Sequence, residues 1–473
     1  MEPITREEYY LAKIAGTYEG KTPKPVTNDE YYLATMAGDY SGNTPQPVTR
    51  LQYYMAKVAG VWGGSIPAPV TRLEYYWAAI ASGEGKVFPP VTREEHFLVL
   101  VADAYSVVLT VVTGNPALLE NSKGNRGLES LTLYGKSTQG STPSPSYPQE
   151  IENAGQSGEI GVQVYGGNLF DIRKASPLED AYGLQMSLDG EYITVKGVTT
   201  TTRYGNVSFR ILGYPVNLYG NRFSMDIVKN VGTSKEYVYT SATENTLALS
   251  VVVDAKAAVE LKFRLMVNAG STALPYEPYK PAQTLIIPTP NGLPGIPVTF
   301  DGNYTDADGQ QWVCDEVDFK KGVYVQRIGK RTITSKDVFH KSGMSTDDVN
   351  YFSLGNFSLH IGTIGEKDVL MSNCFVAGIN HGFSAWGKIF LSSAFDGKVY
   401  FSVEAQKYPD EETFKQWAVE NGLMFLYQLT DIIETNLTAK GLAAYKALRT
   451  YSPTTTVIND AGAGMSVGYA KMK

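Results

Sequence analysis

The side chains that most often perform acid–base and nucleophilic chemistry are sparse in this sequence. Its four histidines, His96, His340, His360 and His381, are scattered along 473 residues, and none lies in a zinc-protease, serine-hydrolase, phosphate-loop or dinucleotide-binding motif. His360 falls in an alternating pattern typical of a strand, which favours a structural role. The 48 acidic residues show no spacing that singles out a pair of glycosidase carboxylates. We therefore expect no catalytic residue and predict that the protein is not an enzyme.

Metal and cofactor sites are not indicated either. The segment DGNYTDADGQQW contains Asp301, Asp306 and Asp308, which we interpret as a solvated turn because the remaining ligand spacing of a calcium loop is missing. Cys314 and Cys374 are too few for a disulfide scaffold or a zinc cluster. They are expected to be two buried thiols, with a bridge between them left open. We predict no metal and no cofactor.

Composition and charge exclude further classes of protein. An apolar content of 43% is too high for a disordered chain, and a net charge of -7 offers no basic surface for nucleic acid. The N-terminus MEPITREEYY does not have the pattern of a signal peptide. The most apolar stretch, residues 97–112, contains Asp103 and is shorter than the ~20 residues of a membrane-spanning helix. We expect a soluble, multidomain protein made inside a cell, without nucleic-acid binding or membrane insertion.

The strongest feature of the sequence is an internal repeat with a period of 22 residues. The copies TREEYYLAKIAG, TNDEYYLATMAG, TRLQYYMAKVAG and TRLEYYWAAIAS begin at Thr5, Thr27, Thr49 and Thr71, and a degenerate fifth copy begins at Thr92. Each threonine is followed three residues later by Glu or Gln, which is a capping box, and is preceded by an aliphatic residue that could form a hydrophobic staple. Proline-rich linkers such as TPKPV separate the copies. The sequence predicts five helices of about ten residues.

Helices this short are marginally stable alone, and the repeat contains no second element to cover their apolar side chains. We expect them to pack against copies of themselves in a homo-oligomer or against another protein, with the paired tyrosines acting in assembly. A solenoid in which consecutive repeats cover one another is an alternative, and the five matched caps argue against simple disorder. The tyrosines assigned to assembly are Tyr9, Tyr10, Tyr31, Tyr32, Tyr53, Tyr54, Tyr75 and Tyr76.

The remainder of the chain has the pattern of short strands. After the helical arm of residues 1–113, residues 114–158 are rich in Gly, Ser, Pro and Asn and are predicted to form a linker. Residues 159–290 show alternation, as in YITVKGV and VELKFRLMV, and predict a β-sandwich or jelly roll. Residues 291–473 predict a second β-rich module with two short helices. The expected fold class is mainly β, with an α-helical N-terminal repeat arm and antiparallel β-sandwich or jelly-roll modules. The two helices are expected at 410–421 and 438–448.

Several stretches of the chain are distinctive: GSTPSPSYPQEIENAG, NLFDI, ALPYEPYKPAQTLIIPTPNGLPGIPV, DGQQWVCDEVDFKKGVYVQRIG, FLYQLTDIIET and LAAYKALRTYSPTTTVINDAG. In these stretches, which cover roughly residues 125–473, the chain resembles tail-fibre, baseplate or receptor-binding proteins of phages and prophages of Gram-positive gut bacteria. The TREEYYLAKIAG repeats look like N-terminal segments of such proteins. The resemblance implies an oligomeric virion component, most simply a homotrimer, with a carbohydrate-binding-like jelly-roll module between NLFDI and YEPY.

From this resemblance we expect a non-enzymatic virion structural protein, a tail fibre or receptor-binding protein. It would attach to other virion proteins through its N-terminal repeats and recognise a host surface glycan or receptor with its β modules. The alternatives are a head fibre or capsid decoration protein, a polysaccharide-degrading tailspike, and a cellular carbohydrate-binding adhesin, which would normally need an export signal.

Two groups of loop residues are the candidates for glycan contacts. Aromatic faces and planar hydrogen-bonding groups suit saccharides, and such side chains occur in the loops GINHGFSAWGK, TTRYGNV and GYPVNLYGN. Packing of Trp386 against a sandwich core is the alternative for the first loop. The candidate contacts are Asn380, His381, Trp386, Tyr204, Tyr214 and Tyr219.

Overall fold

The computed structural model describes residues 2–82, 89–105, 107–177, 183–200, 205–212, 222–231, 239–243, 246–253, 256, 258–355, 369–377, 387–392 and 398–472. The chain is mainly β, with N-terminal helices and mostly antiparallel sheets, as predicted. It divides into two compact units, Met1–Thr110 with Ala470–Lys473, and Val111–Tyr469. None of the described helices has the length and apolar character needed to span a bilayer.

The N-terminal repeats form five helices. Each begins directly after a threonine whose hydroxyl accepts a hydrogen bond from the third helical amide, at 3.1–3.2 Å. The Glu or Gln three residues after the threonine accepts from backbone amides just before the helix, so the predicted capping is confirmed. The helices are α1 (Arg6–Ile14), α2 (Asn28–Met36), α3 (Arg50–Val58), α4 (Arg72–Ser82) and α5 (Arg93–Tyr105).

The five helices close into a ring. Each helix packs against the next one along the chain, and α5 packs back against α1. The structure therefore shows the alternative in which repeats cover one another within one chain, with the addition that the last repeat also covers the first. Burial of the repeat helices requires no second molecule. Their common core contains Tyr10, Leu11, Tyr32, Leu33, Tyr54, Met55, Tyr76, Trp77, Phe97 and Leu98.

The strands follow from residue 107 onward. Those up to residue 177 are β1 (Val107–Thr113), β2 (Ala117–Glu120), β3 (Ser130–Tyr134), β4 (Ser137–Thr138), β5 (Glu152–Asn153), β6 (Glu159–Gly166) and β7 (Ala175–Pro177). The next group is β8 (Leu184–Asp189), β9 (Tyr192–Val198), β10 (Gly205–Leu212), β11 (Arg222–Val231), β12 (Tyr239–Thr243), β13 (Thr246–Val253), β14 (Ala258–Asn268) and β15 (Gln283–Pro288).

The second half of the chain continues in the same way. Its first strands are β16 (Gly295–Val298), β17 (Tyr304–Thr305), β18 (Gln311–Cys314), β19 (Glu316–Asp318), β20 (Val323–Thr332), β21 (Phe339–Lys341) and β22 (Val349–Leu354). They are followed by β23 (Leu370–Ser372), β24 (Val376–Ala377), β25 (Lys388–Ser392), β26 (Lys398–Glu404), α6 (Glu411–Glu420), β27 (Met424–Asn436), α7 (Ala439–Ala447), β28 (Thr454–Asn459) and β29 (Gly464–Met472). Both predicted C-terminal helices are confirmed as α6 and α7.

Two sheets form a scaffold from distant parts of the chain. A seven-stranded sheet has the order β1-β29-β3-β19-β20-β27-β23, and a four-stranded sheet has the order β15-β6-β28-β2. Side chains from both sheets, such as Leu131, Val162 and Val457, share one apolar core. Strands β6 and β15 of the predicted first module thus pair in a sheet with β28 of the predicted second module.

The linker prediction for residues 114–158 is corrected by this scaffold. The segment contains β2 to β5, and it buries Leu119, Leu131 and Leu133 completely. The strands are only two to five residues long and are separated by turns rich in Gly, Ser and Pro. Such short strands show too little alternation to be recognised, and the strands that pair with β2 and β3 lie far away in the sequence.

Two further groups of strands are inserted into the scaffold. Between β6 and β15 lie two four-stranded sheets, β12-β13-β10-β7 and β11-β14-β9-β8. Val259, Leu261 and Phe263 of β14 alternate into the apolar core of the second of these sheets, as predicted. The buried Asn168 amide donates to the carbonyl oxygens of Leu265 and Glu277, at 3.1 and 2.9 Å. Asn168 of NLFDI therefore binds the backbone of YEPY directly. The other insertion, between β20 and β27, contains a five-stranded sheet, β21-β22-β26-β25-β24, and α6.

Candidate functional site

The eight paired tyrosines lie inside the helix ring of a single chain. The second member of each pair is fully buried, and the hydroxyl of Tyr32 donates to the carbonyl oxygen of Pro45 at 2.6 Å, while Tyr10 and Tyr54 make the equivalent bonds to Pro23 and Pro67. The first members are partly buried, and three of them contact an aromatic residue edge-on at 5.0–5.2 Å between ring centroids. These ring pairs are Tyr9–Tyr18, Tyr31–Tyr40 and Tyr53–Trp62. A role of these tyrosines in contacts with other chains stays a prediction.

Four of the five joints between neighbouring helices contain the same ion pair. The arginine at the first position of one helix donates to the glutamate at the third position of the next helix. The glutamates are almost completely buried and the arginines are about half exposed, so each pair is a charge-assisted hydrogen bond at the edge of the core. The pairs and their N–O distances are Arg6–Glu30 at 2.6 Å, Arg50–Glu74 at 3.3 Å, Arg72–Glu95 at 2.8 Å and Arg93–Glu8 at 2.9 Å, the last of which closes the ring.

The fifth joint, between α2 and α3, departs from this design on both sides. The second repeat has Asn28 where the others have arginine, and the third repeat has Gln52 where the others have glutamate. The Gln52 amide donates instead to the Asp29 carboxylate at 2.8 Å. The repeat that lacks the cation therefore faces the repeat that lacks the anion, and no buried charge is left unpaired at this joint.

The six predicted glycan contacts, Asn380, His381, Trp386, Tyr204, Tyr214 and Tyr219, lie outside the described residues. Their role stays a prediction.

A cleft of about 950 Å³ opens on the second unit. Its walls come from β15 and the turn that follows it, from β19 and β20, and from β27 and the start of α7, so rigid sheet carries most of the lining. Ile286, which is 49% exposed, and the partly buried ring of Tyr324 give the cleft apolar and aromatic surface, while the lining residues Val317, Ile328 and Leu426 are buried. We call this site the amide-lined cleft, after the amide side chains that line it: Asn153, Gln156, Asn291, Gln326 and Asn436.

Asp315 lies at the base of this cleft and is almost completely buried. One of its oxygens accepts hydrogen bonds from the backbone amides of Arg327 and Ile328, at 2.7 and 2.8 Å, and the other accepts from the hydroxyl of Tyr324. Burial raises the pKa of Asp315 to about 6 and also raises the pKa of Tyr324. Because both carboxylate oxygens are engaged, Asp315 acts as a structural anchor for β20 at the point where its pairing with β27 is interrupted.

Sequence reasoning did not identify this cleft. Asp315 stands in the run WVCDEV, where a carboxylate between apolar residues of a strand pattern is the signal that could have indicated it. The amide side chains that line the cleft come from four separate segments, and no local pattern connects them.

The acidic turn and the cysteines can also be placed. Asp306 accepts from the Lys136 ammonium at 2.8 Å and from the Trp312 indole at 3.0 Å, and organises its own turn by accepting from backbone amides. Cys314 and Cys374 are both buried free thiols in different apolar clusters, so the bridge that was left open is not formed. Within the described ranges, no three His, Cys, Asp or Glu side chains converge as metal ligands.

No family model, curated protein or solved structure was found to match this chain.

Proposed function

We propose that the chain is a non-enzymatic virion structural protein, a tail fibre or receptor-binding protein that recognises a saccharide of the host surface. The observation that carries the proposal is the amide-lined cleft. Its volume of about 950 Å³ falls at the upper end of the range common for ligand sites. The exposed side chain of Ile286 and the ring of Tyr324 suit the C–H faces of sugar rings, and amide side chains both donate to and accept from sugar hydroxyls.

The two remaining parts of the chain have complementary roles in this proposal. The repeat helices of the ring bury their apolar side chains against one another, and the ring would serve as the attachment element for other virion proteins. The inserted sheets between β6 and β15 would form a jelly roll that presents further sugar contacts, including the predicted Tyr204, Tyr214 and Tyr219. The bond between Asn168 and Glu277 supports this assignment, because it closes the module where the chain enters and leaves it.

A homotrimer is proposed as the oligomeric state. The repeats cover one another within one chain, so in this proposal the trimer contacts come from the β-rich second unit. The solution mass of the intact chain, measured by light scattering, tests this: three times the chain mass of 51.7 kDa is expected, and the mass of a single chain would contradict it.

The cleft is tested with exposed amides whose loss should leave the fold intact. We expect the double variant Asn291→Ala, Asn436→Ala to reduce binding of the full chain to host-cell polysaccharide at least tenfold, because two hydrogen-bonding groups that face the cleft are removed. Gln416→Ala, an exposed amide on α6 outside the cleft, is the matched control and should bind like the wild type. Unchanged binding by the double variant would remove the cleft from the argument, and Trp386→Ala would then test the predicted loop.

A head fibre or capsid decoration protein is the second candidate function. It is favoured by the five-membered ring, because icosahedral shells offer five-fold positions and tails generally do not. Labelled antibody imaged on virions distinguishes the two, since capsid labelling contradicts the tail assignment. The same preparation tests the polysaccharide-degrading alternative: polysaccharide that is bound but not shortened supports the non-enzymatic proposal.

A further inference from the structure

The helix ring carries a circle of exposed aliphatic side chains at one end. Each belongs to the residue directly before a capping threonine, where a hydrophobic staple was expected. These residues are 69–75% exposed, so any contact with the tyrosine or histidine at the fourth position of the following helix leaves most of each side chain in solvent. Exposed aliphatics that recur at equivalent positions of every repeat form a patterned surface rather than scattered exceptions. The five residues are Ile4, Val26, Val48, Val70 and Val91.

These residues all lie at the same end of the ring. The ion pairs join the first position of one helix to the third position of the next, for example Arg6 to Glu30 and Arg93 to Glu8, so the helix N-termini stand side by side around the closed ring. A residue that precedes the cap must then lie at this N-terminal end in all five repeats. The single chain therefore presents five equivalent apolar points with approximate five-fold symmetry.

The same end of the ring carries a cluster of carboxylates. Glu7, Asp29 and Glu94 occupy the second position of α1, α2 and α5. Burial raises the pKa of Glu94, and the nearby carboxylates, among them Glu7 and Asp29, raise it further. As residues of the first helical turn, all three lie at the N-terminal end of the ring, where the helix N-termini stand side by side. Leu51 and Leu73 stand at the equivalent positions of α3 and α4.

Symmetry and charge together select the occupant of this surface. A second copy of the ring placed face to face would bring acidic cluster against acidic cluster, which is unfavourable. An asymmetric partner would use only part of a surface that repeats five times. A homopentamer presents the same surface five times around one axis and can contact every aliphatic point equally. Basic side chains around that axis would complement the carboxylates.

We propose that the N-terminal end of the helix ring binds the end of a homopentameric protein whose five-fold axis is surrounded by Lys or Arg side chains. One helix ring then occupies one pentamer, so a homotrimer contacts a pentamer through one of its rings. This inference rests on the second candidate function, the head fibre or capsid decoration protein, in which such a pentamer is a five-fold vertex of the capsid shell, and it goes beyond that function by naming the surface, the symmetry and the charge of the partner.

The experiment uses the full chain on purified virions of the phage whose genome encodes it. Cryo-electron microscopy with local averaging locates the chain, and quantitative mass spectrometry counts its copies per virion. The test variants are Val26→Ser with Val70→Ser, which removes two aliphatic points, and Glu7→Lys with Glu94→Lys, which reverses the axial charge. The matched control is Val338→Ser, which changes a similarly exposed valine of the second unit, 61% exposed.

The expected result is one helix ring bound at each occupied five-fold vertex, with at least a tenfold loss of copies per virion for both test variants and none for the control. Circular dichroism of the purified variants must match the wild type. Chain found on the tail alone overturns the five-fold inference while the virion function stands. Chain absent from virions overturns the proposed function itself. If both test variants still bind the vertices at the wild-type copy number, the contact lies on another surface and the inference about the N-terminal end of the ring is overturned.

Discussion

The joint between α2 and α3 offers the sharpest test of the ring, because both residues of the ion pair found at the other joints are replaced there, by Asn28 and Gln52. Replacing Gln52 by Glu restores the third-position residue of the other repeats but leaves Asn28 unable to pair with it. The new carboxylate would take the place of an amide that is 8% exposed and donates to Asp29 at 2.8 Å. Adding Asn28→Arg then supplies the guanidinium that the other four joints possess.

The magnitudes follow from the geometry of the neighbouring joints. The single variant Gln52→Glu loses a hydrogen bond to a charged group, which is worth about 1.5–3 kcal/mol, and places two carboxylates together, which costs roughly 1–4 kcal/mol at about 4 Å. Relaxation of the exposed Asp29 side chain reduces the sum, so we expect a loss of about 3 kcal/mol. The double variant should recover about 2 kcal/mol through the pairing seen at Arg6 and Glu30. Asn28→Arg alone should change stability by less than about 0.5 kcal/mol.

Hydrogen exchange measured by mass spectrometry on the full chain is the appropriate assay, because it reads the opening of α2 and α3 separately from the second unit. The single variant should accelerate exchange in these helices about a hundredfold, since each 1.4 kcal/mol is a factor of ten. Peptides from β6 should exchange as in the wild type. Gln416→Glu makes the same substitution on the exposed face of α6 and should have almost no effect.

The reasoning would be refuted if the effects of Asn28→Arg and Gln52→Glu on stability simply added. If the double variant exchanges as fast as Gln52→Glu alone, so that the coupling between positions 28 and 52 is below about 0.5 kcal/mol, the joint does not accept the ion pair of its neighbours.

Three further predictions concern single groups. Tyr54→Phe removes the hydroxyl that donates to a linker carbonyl, and should destabilise α3 by about 1 kcal/mol in the same exchange assay. The hydrogen bond from Arg72 and those from the backbone lower the pKa of Glu95 to about 2; its ionised form therefore stabilises the ring above the unfolded-state pKa of about 4.3 and loses this effect as pH falls toward 2, so Arg72→Gln should weaken the acid dependence of α5 exchange. Burial raises the pKa of Cys314 and of Cys374 to about 12, so iodoacetamide should label both only after unfolding, and rapid labelling of the native chain would contradict their burial.

The module boundaries show where local reasoning succeeded and where it failed. NLFDI and YEPY were expected to bracket a module, and the structure explains the bracket through the side chain of Asn168, which binds the Glu277 carbonyl across 109 residues of sequence. The supposed linker, in contrast, belongs to the scaffold. Leu131 and Leu133 gave no sign of a strand in a Gly- and Ser-rich segment, because β29, which pairs with their strand β3, lies at the opposite end of the chain.

The sequence by itself determined the five capped helices, the alternating strand of VELKFRLMV and the two C-terminal helices. A cap or an alternating face depends on residues within a few positions of each other, so the pattern contains the whole interaction. Only the tertiary structure decided that the repeats close into a ring through Arg93 and Glu8, that Asn28 and Gln52 belong to one joint, and that amide side chains from four separate segments line the amide-lined cleft. These features depend on which distant residues meet, and a repeat that can pair with its neighbour, with another chain or with its own first copy looks the same in one dimension.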